Sequence, residues 1–555
     1  MTLKAKHLTW LAAIAFGIIF DQLVWEKPAG VNIVILLLLA LIVGLIPFWK
    51  EKIQIPLKSY LLLVPILTFA TLTIFRTEPF TNLINAGIFM FTLFLLTVTL
   101  RNGLWPQFYL RTHIEQFIKF FIYEIVGGTF FLTKIKATRE SSSEFESQSQ
   151  DQAIGEAPPS ERKGSKWAQW TPYLRGLALL LPILVILTAL LAAADPIFEA
   201  RVQNLFEGFR FENLGETLFR VFYIGVLAYI LLGAIYFALV ESEKISTSDW
   251  KDSAPKPFLG SIEATMVLVG INLLFLVFVF LQFNYLFGGG ENISETGFTY
   301  AEYARRGFFE LLAVALISLG LFYGLSVFTK RETKAQKMRF SILGVFLVAL
   351  VGIILVSAYT RLRLYELAYG FTSLRTLAHI AMIFVGILLT VAAALEITQQ
   401  MERAALILII ALFAFGLTVN LLNIDAFIVQ QNVARVLDPT PETVDTPLDT
   451  GYLFSLSDDA VPALMDTFIA PNTPTSLTDD IGGVLSCRLA TLDTDRDDPW
   501  TSYHFSRARA RDLILSQADA LADYPTFYND WGWTVEVDGE VRNCFGYSDT
   551  IDVID

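Results

Sequence analysis

Between Val31 and Phe48 the chain runs for eighteen residues without one charged side chain. A run of that length and character matches a helix crossing a hydrocarbon core of about 30 Å, which takes ~20 residues. Counting this one, eleven hydrophobic stretches are long enough to span, at approximately 7–25, 31–49, 57–75, 80–100, 173–195, 216–240, 260–286, 304–328, 339–359, 374–396 and 403–423. The first follows Lys4 and Lys6, but no small-x-small cleavage pattern comes after Phe20, so it reads as an uncleaved anchor. The expected fold is an all-α polytopic membrane bundle of about eleven transmembrane helices with a small α+β domain at the C-terminal end.

Composition excludes the alternative of three or four soluble domains in 555 residues. Hydrophobic residues make up 54%, charged residues 17%, and the mean hydropathy is +0.53. A soluble domain carries roughly 25% charged residues to cover its surface. The formal net charge of -13 is unevenly spread. From Asp425 to Asp555 there are 24 acids against 7 arginines and no lysine, whereas residues 1–424 carry 30 acids and 34 bases. No basic tract has the density of a nucleic-acid footprint, so nucleic acid is excluded as a partner. The lipid bilayer is the first partner expected.

Lysine and arginine in the connections set the expected orientation. One set of loops is basic: Lys4 and Lys6, then Lys50, Lys52 and Lys58, then nine bases in 101–172, then Lys244, Lys251 and Lys256, then Lys330, Arg331, Lys334, Lys337 and Arg339. The intervening loops carry little beyond Lys27, Arg76, Arg201 and Arg210. This predicts a bacterial inner-membrane protein with the N-terminus inside and, after eleven spans, the acidic tail outside. Arg305, Arg306, Arg361, Arg363 and Arg375 fall on the outer side against the rule and are expected to have specific partners. The two cysteines, Cys487 and Cys544, both lie in the tail, where an oxidising compartment would allow a disulfide between them.

Five regions follow: four N-terminal spans (1–100), an amphipathic interfacial helix (101–137), a disordered linker (138–170), a seven-helix membrane core (171–424) and the acidic outer domain (425–555). In the second, Ile114, Phe117, Ile118, Phe121, Ile122 and Ile125 repeat at helical spacing, with His113, Glu115, Gln116, Lys119 and Glu124 on the other face. The linker holds the run SSSEFESQSQDQ and cannot bury enough apolar surface to fold. In the tail, a helix is expected from about Phe505 to Ala522. A hairpin is expected over Val535–Arg542, turning at Asp538-Gly539. Tyr524, Phe527, Tyr528, Trp531 and Trp533 are expected to fill the small domain's core.

Standard catalytic signatures are missing: there is no GxxxxGK[ST], HExxH, GxSxG or CxxC. The four histidines, His7, His113, His379 and His504, are scattered, and no metal or cofactor is expected. Asp493, Asp495 and Asp497 open like a calcium loop, but Asp498 stands where glycine is needed and His504 where glutamate is. Ionisable residues in or beside spans carry more information, because charge in hydrocarbon is costly. Glu302, Arg306 and Glu310 share one helical face. Arg361, Tyr365 and Glu366, with Tyr369 and Thr372, form a second polar group before the tenth span, and His379 lies within that span. These seven residues, Glu302, Arg306, Glu310, Arg361, Tyr365, Glu366 and His379, are the candidate site. It is either a pocket for an anionic or zwitterionic ligand or a set of interhelical pairs that fixes packing.

The same stretches carry a family resemblance. Phe298-Thr-Tyr-Ala-Glu-Tyr-Ala-Arg-Arg-Gly-Phe308, Ala194-Asp-Pro-Ile-Phe198, Arg361-Leu-Arg-Leu-Tyr-Glu-Leu-Ala-Tyr-Gly370, Asn423-Ile-Asp-Ala-Phe427, Asn432-Val-Ala-Arg435, Leu448-Asp449 and Ser457-Asp-Asp-Ala-Val-Pro-Ala-Leu464 resemble, in order, the motifs of a bacterial membrane family catalogued as domain of unknown function 4173. The resemblance covers roughly 170–470, with Ile424 standing where the motif has proline. It implies an integral membrane protein and no particular activity. Three function classes follow: an envelope sensor or interaction protein meeting an envelope protein or small ligand at its outer face, a transporter or channel, or a membrane transferase. The first is the expected one, and no enzyme activity is assigned.

Overall fold

The computed structural model describes residues 3–109, 112–125, 127–128, 214–245, 257–286, 307–438, 448–492, 499–529 and 532–544. The chain divides into two compact units, one of Met1–Glu26, Leu38–Ile53 and Phe121–Phe237, the other of Lys27–Leu37, Gln54–Phe120 and Ala238–Asp555. The expected span at 173–195 and the linker at 138–170 lie outside the described residues.

Among the described residues, nine helices are long and apolar enough to cross a membrane. They include α1 (Leu3–Val24) and α2 (Val31–Lys50). The expected span at 57–75 is present as two pieces, α3 (Leu57–Tyr60) and α4 (Leu63–Leu72), followed by α5 (Pro79–Thr99). Leu61 and Leu62 keep right-handed helical angles, and Leu62 N donates to Ser59 O at 3.2 Å, so the break is one tightened turn. Ser59 Oγ donates to Thr99 O at 2.9 Å, at the far end of α5. The broken helix, Leu57–Leu72, is about 24 Å long at ~1.5 Å per residue, shorter than α5, and starts beside the end of α5. It is an apolar helix shorter than the nine.

A helix, α6, covers 112–125, and α7 follows at Leu214–Tyr236. On α6 the six periodic apolar residues are all exposed, from Phe117 at 48% to Ile125 at 69%, whereas Thr112, His113 and Gln116 are buried. Glu124, expected among the polar residues, is instead half-buried. The membrane core of the larger unit is α8 (Ser261–Leu286), α9 (Phe308–Phe328), α10 (Lys334–Tyr369), α11 (Ser373–Ile397) and α12 (Ala404–Leu422). Leu268, Phe322, Val351, Leu362 and Met382 meet in its centre. α10 is the longest element because a capping box at Thr333 and Gln336 starts it and only Gly370 ends it. Arg361 to Tyr369 thus continue the span as helix.

The tail begins with α13 (Ile424–Leu437), α14 (Thr450–Ser455), α15 (Val461–Ile469) and α16 (Thr475–Thr491), then α17 (Phe505–Ser516) and α18 (Ala518–Leu521). Its core residues Ile428, Leu453, Leu464, Val484 and Ile514 join Ile380 of α11 and Val419 of α12 in one cluster, so the tail core is continuous with the helix ends. The expected hairpin is present as β2 (Gly532–Val537) and β3 (Glu540–Asn543), turning through Asp538 (φ 52°) and Gly539 (φ 79°). A further strand, β1 (Thr526–Asn529), pairs antiparallel with β2, Thr526 opposite Val535. It holds Phe527 (51% exposed) and Tyr528 (73%) at the surface, which corrects their placement in the core.

Cys487 of α16 and Cys544 after β3 form the expected disulfide, with Cα atoms 5.4 Å apart. It closes a loop across a sequence separation of 57 residues. Removing it by Cys487→Ser is expected to cost the tail about 4 kcal/mol through the unfolded chain's regained freedom. Thermal unfolding with and without dithiothreitol checks this: the wild type should lose stability in reductant and the variant should not respond.

Candidate functional site

Of the seven candidate residues, Glu302 and Arg306 lie outside the described residues. Glu310, on the first turn of α9, is exposed, and among the described residues it meets no hydrogen-bond or ion-pair partner. The others sit where α10 ends and α11 begins. Glu366 is fully buried, and His379 Nδ1 lies 3.0 Å from its Oε2. The Tyr359 ring is 4.5 Å from the His379 ring. Arg375 places its guanidinium 4.1 Å from the Tyr365 ring centre and donates to Gly370 O at 2.7 Å. Arg361 reaches the left-handed Gly307 that starts α9.

The turn joining α10 to α11 is fixed by α13. Asn432 Oδ1 accepts from Phe371 N at 2.8 Å while its Nδ2 donates to Phe371 O at 3.1 Å. Gly370 has φ +81°, and a Cβ there would lie 2.9 Å from Asn432 Oδ1, so only glycine fits. Arg375 is thereby explained as a positioned residue, held by a carbonyl and a ring rather than left as a surface charge.

A larger polar assembly, which the spacing of span residues did not reveal, lies at the same ends of the helices. The turn between α4 and α5 carries Arg76, Thr77 and Glu78. Glu78 caps α5 by accepting from Phe80 N at 3.2 Å and Thr81 N at 2.6 Å, with Pro79 in the first position. Asp459 of the tail accepts from Thr77 N at 2.8 Å and Glu78 N at 3.1 Å with one oxygen, and from Ser506 Oγ with the other. Arg76 Nε donates to Asn420 O at 2.9 Å, and Asn420 exchanges side-chain hydrogen bonds with Asn85 across α12 and α5. Asp425 accepts from Ser457 N at 2.8 Å. Tyr452 Oη accepts from Ser373 N at 2.7 Å. Burial pushes the Asp425 carboxyl above the usual carboxylate range, against the two donors from Ser457, with the nearby Glu78 and Asp459 carboxylates adding to the rise.

The backbone completes the docking. Tyr503 O accepts from Val31 N at 3.0 Å, capping α2, and Phe505 N donates to Ile74 O at 2.9 Å. A Cβ on Gly30 would lie 2.5 Å from both Ser502 O and Tyr503 O, so the tail chain can approach α2 only because residue 30 is glycine. Phe75 and Phe505 stack with centres 4.5 Å apart. Clefts of about 570, 440 and 570 Å³ open around this junction.

His504 anchors the same contact by donating from Nε2 to Thr73 O at 3.0 Å. Desolvation, then the Arg507 cation, lowers its pKa, and desolvation lowers that of His113 on α6 to about 4. Unfolding returns both to about 6.5. The unfolded chain then binds more protons, so stability is full above that value and falls as pH drops below it towards the folded values. Thermal unfolding in detergent at pH 7.5 and 5.5 should show the loss, and His504→Gln should make it smaller.

At the opposite ends of the core helices, Glu396 of α11 is fully buried. It accepts from Arg331 Nη1, from Ser326 Oγ at 2.8 Å and from Ser341 Oγ at 3.0 Å, while the Arg331 guanidinium lies 4.3 Å from the Phe340 ring centre. Within the smaller unit, Asp21 of α1 accepts from Arg220 Nε at 2.9 Å and from Tyr223 Oη on α7. Glu263, partnerless by sequence, accepts from Gly260 N at 2.7 Å. Among the described residues, no three His, Cys, Asp or Glu side chains are grouped to hold a metal.

Long apolar helices, with their charges buried and paired where helices meet, define an integral, multi-pass membrane protein. The chain belongs to the family described as domain of unknown function DUF4153, whose model matches residues 63–467. This corrects the expected family number. The quoted motifs from Ala194 onward fall within the matched span, but the match starts well before residue 170, at the broken α3–α4 helix, which those motifs do not reach. No curated protein and no solved structure was found to match the chain.

Proposed function

We propose that this chain is an envelope interaction or sensing protein of a bacterial cytoplasmic membrane, with its N-terminus inside and its acidic tail outside. The observation that carries the reading is Asp459, 2% exposed, which ties the tail to the α4–α5 turn through two amides and a hydroxyl. A tail fixed in this way is a platform held against the spans.

Charge supports the orientation. The helix ends away from the tail carry Lys58, Arg101, Lys244, Lys330, Arg331, Lys334, Lys337, Arg339 and Arg403, whereas the tail-side ends carry Lys27, Arg76, Arg361, Arg363 and Arg375. Basic ends face the cytoplasm. The disulfide fits an oxidising compartment. The surface offered to a partner is the sheet, where Tyr528 (73% exposed) and Val541 (66%) stand clear. Photoreactive residues at 528 and 541 should give a defined cross-linked product in intact cells, and one at the buried Val535 should not. Products of no defined mass at all three positions would overturn the reading.

A transport reading has one observation in its favour: the buried Glu366 lies 3.0 Å from the half-buried His379 within spans, and neither Glu366 oxygen accepts a hydrogen bond among the described residues. Proton-driven solute flux in proteoliposomes that is lost in Glu366→Gln would establish it.

A further inference from the structure

One of the clefts at the docked tail, about 570 Å³, has two unlike walls. Ile33 of α2 and Ala86 and Phe89 of α5 line one side; Arg488, His504 and Arg507 of the tail line the other. Ala86 and Phe89 lie two to three turns below the start of α5, a depth of about 10–15 Å along the helix. The apolar wall therefore descends along a membrane span, while the cationic wall sits at its end.

The charges on that second wall are not balanced. Arg488 donates to Leu456 O and has Asp458 at 3.7 Å, the one carboxylate lining the cleft. Arg507, half-buried on α17, meets no carboxylate within ion-pair distance among the described residues. His504 is 5% exposed, and its Nδ1 has no hydrogen-bond partner. Its Nε2 is taken up by Thr73 O. The wall thus presents one uncompensated guanidinium and a second shared with Asp458.

We propose that this cleft binds a single phospholipid with an anionic headgroup, drawn from the leaflet at the tail's face. The phosphate-bearing headgroup lies against Arg507 and the exposed edge of Arg488, and one acyl chain lies along Ile33, Ala86 and Phe89. An apolar ligand would leave Arg507 without a counter-charge, and a soluble anion would leave the apolar wall uncovered. An amphiphile satisfies both walls, and the membrane supplies it at the required depth. The inference does not depend on which side of the membrane the tail occupies.

The test is native mass spectrometry of the full chain in detergent, titrated with phosphatidylglycerol or phosphatidylethanolamine of identical acyl chains. Wild type should retain phosphatidylglycerol about fivefold more strongly, the worth of one cation facing an anionic headgroup at a membrane surface. Arg507→Gln, at a half-exposed position, should fold normally and abolish the preference. Ala86→Trp, which fills the apolar wall, should reduce retention of both lipids, with unfolding temperature as the control for folding. Equal retention of the two lipids by wild type would overturn the proposal. So would displacement of phosphatidylglycerol by an equal concentration of glycerol 3-phosphate, which would show a phosphate site without a lipid requirement.

Discussion

Asp459→Ala is expected to release the tail from the membrane helices and to cost about 3–5 kcal/mol. The carboxylate is buried and is the common acceptor for Thr77 N, Glu78 N and Ser506 Oγ. Hydrogen bonds to a charged acceptor contribute roughly 1.5–3 kcal/mol each, and each buried donor left without one costs about 1–3 kcal/mol. The methyl group of alanine leaves all three donors unpartnered beside Arg76. Glu78 loses the contact that orients its own cap on α5. Thermal unfolding in detergent should show the loss. Limited proteolysis should also cut at the α4–α5 turn in the variant, where the wild type is protected. Asp459→Asn keeps one acceptor oxygen and should fall between the two.

Glu396→Ala is the second large effect, at the other ends of α9, α10 and α11. There the carboxylate gathers Arg331, Ser326 and Ser341 from three segments. Arg331 has a side chain only 13% exposed. Removing one partner of such a pair leaves an uncompensated buried charge, at about 3–5 kcal/mol. Arg331→Met with Glu396→Leu removes both charges, and it should recover most of the lost stability. Recovery would show that the pair fixes geometry rather than supplying net stability. The measurement is the unfolding midpoint of the two single variants and the double variant.

The spans were legible in the sequence because a bilayer demands long uncharged runs, and α2, α5, α11 and α12 satisfy that demand within a few residues. α10 is longer than its apolar stretch because helix signals, Thr333 with Gln336 and the terminal Gly370, extend past the apolar core. The break at Leu61–Leu62 is marked by Pro65, which has no N–H for Leu61 O and crowds that carbonyl, a signal that hydropathy alone passes over. The hairpin was readable from Asp538-Gly539. β1 was not, since Phe527 and Tyr528 are adjacent and both exposed, and no alternation marks a strand there.

The candidate site was legible only where the partners are close in sequence. Glu366 and His379 flank one turn, and polar residues near a span announce them. The bonds from Asp459 to Thr77 and Glu78 span 382 and 381 residues, and no local pattern predicts such a meeting. Asp425 and Asp459 did stand inside recognised motifs, Asn423-Ile-Asp and Ser457-Asp-Asp. A small polar residue beside an aspartate next to a helix start was the available signal that these carboxylates are acceptors for backbone amides.

The central claim, a tail fixed on the outer ends of the spans, is tested most directly by thiol labelling in intact cells. The native cysteines are joined to each other, so a new cysteine is the only free thiol. Tyr528→Cys on the sheet should react with a membrane-impermeant maleimide without permeabilisation, and Lys334→Cys at the start of α10 should react only after it. Labelling of Lys334→Cys in intact cells, with Tyr528→Cys protected until permeabilisation, would place the tail inside and contradict the account.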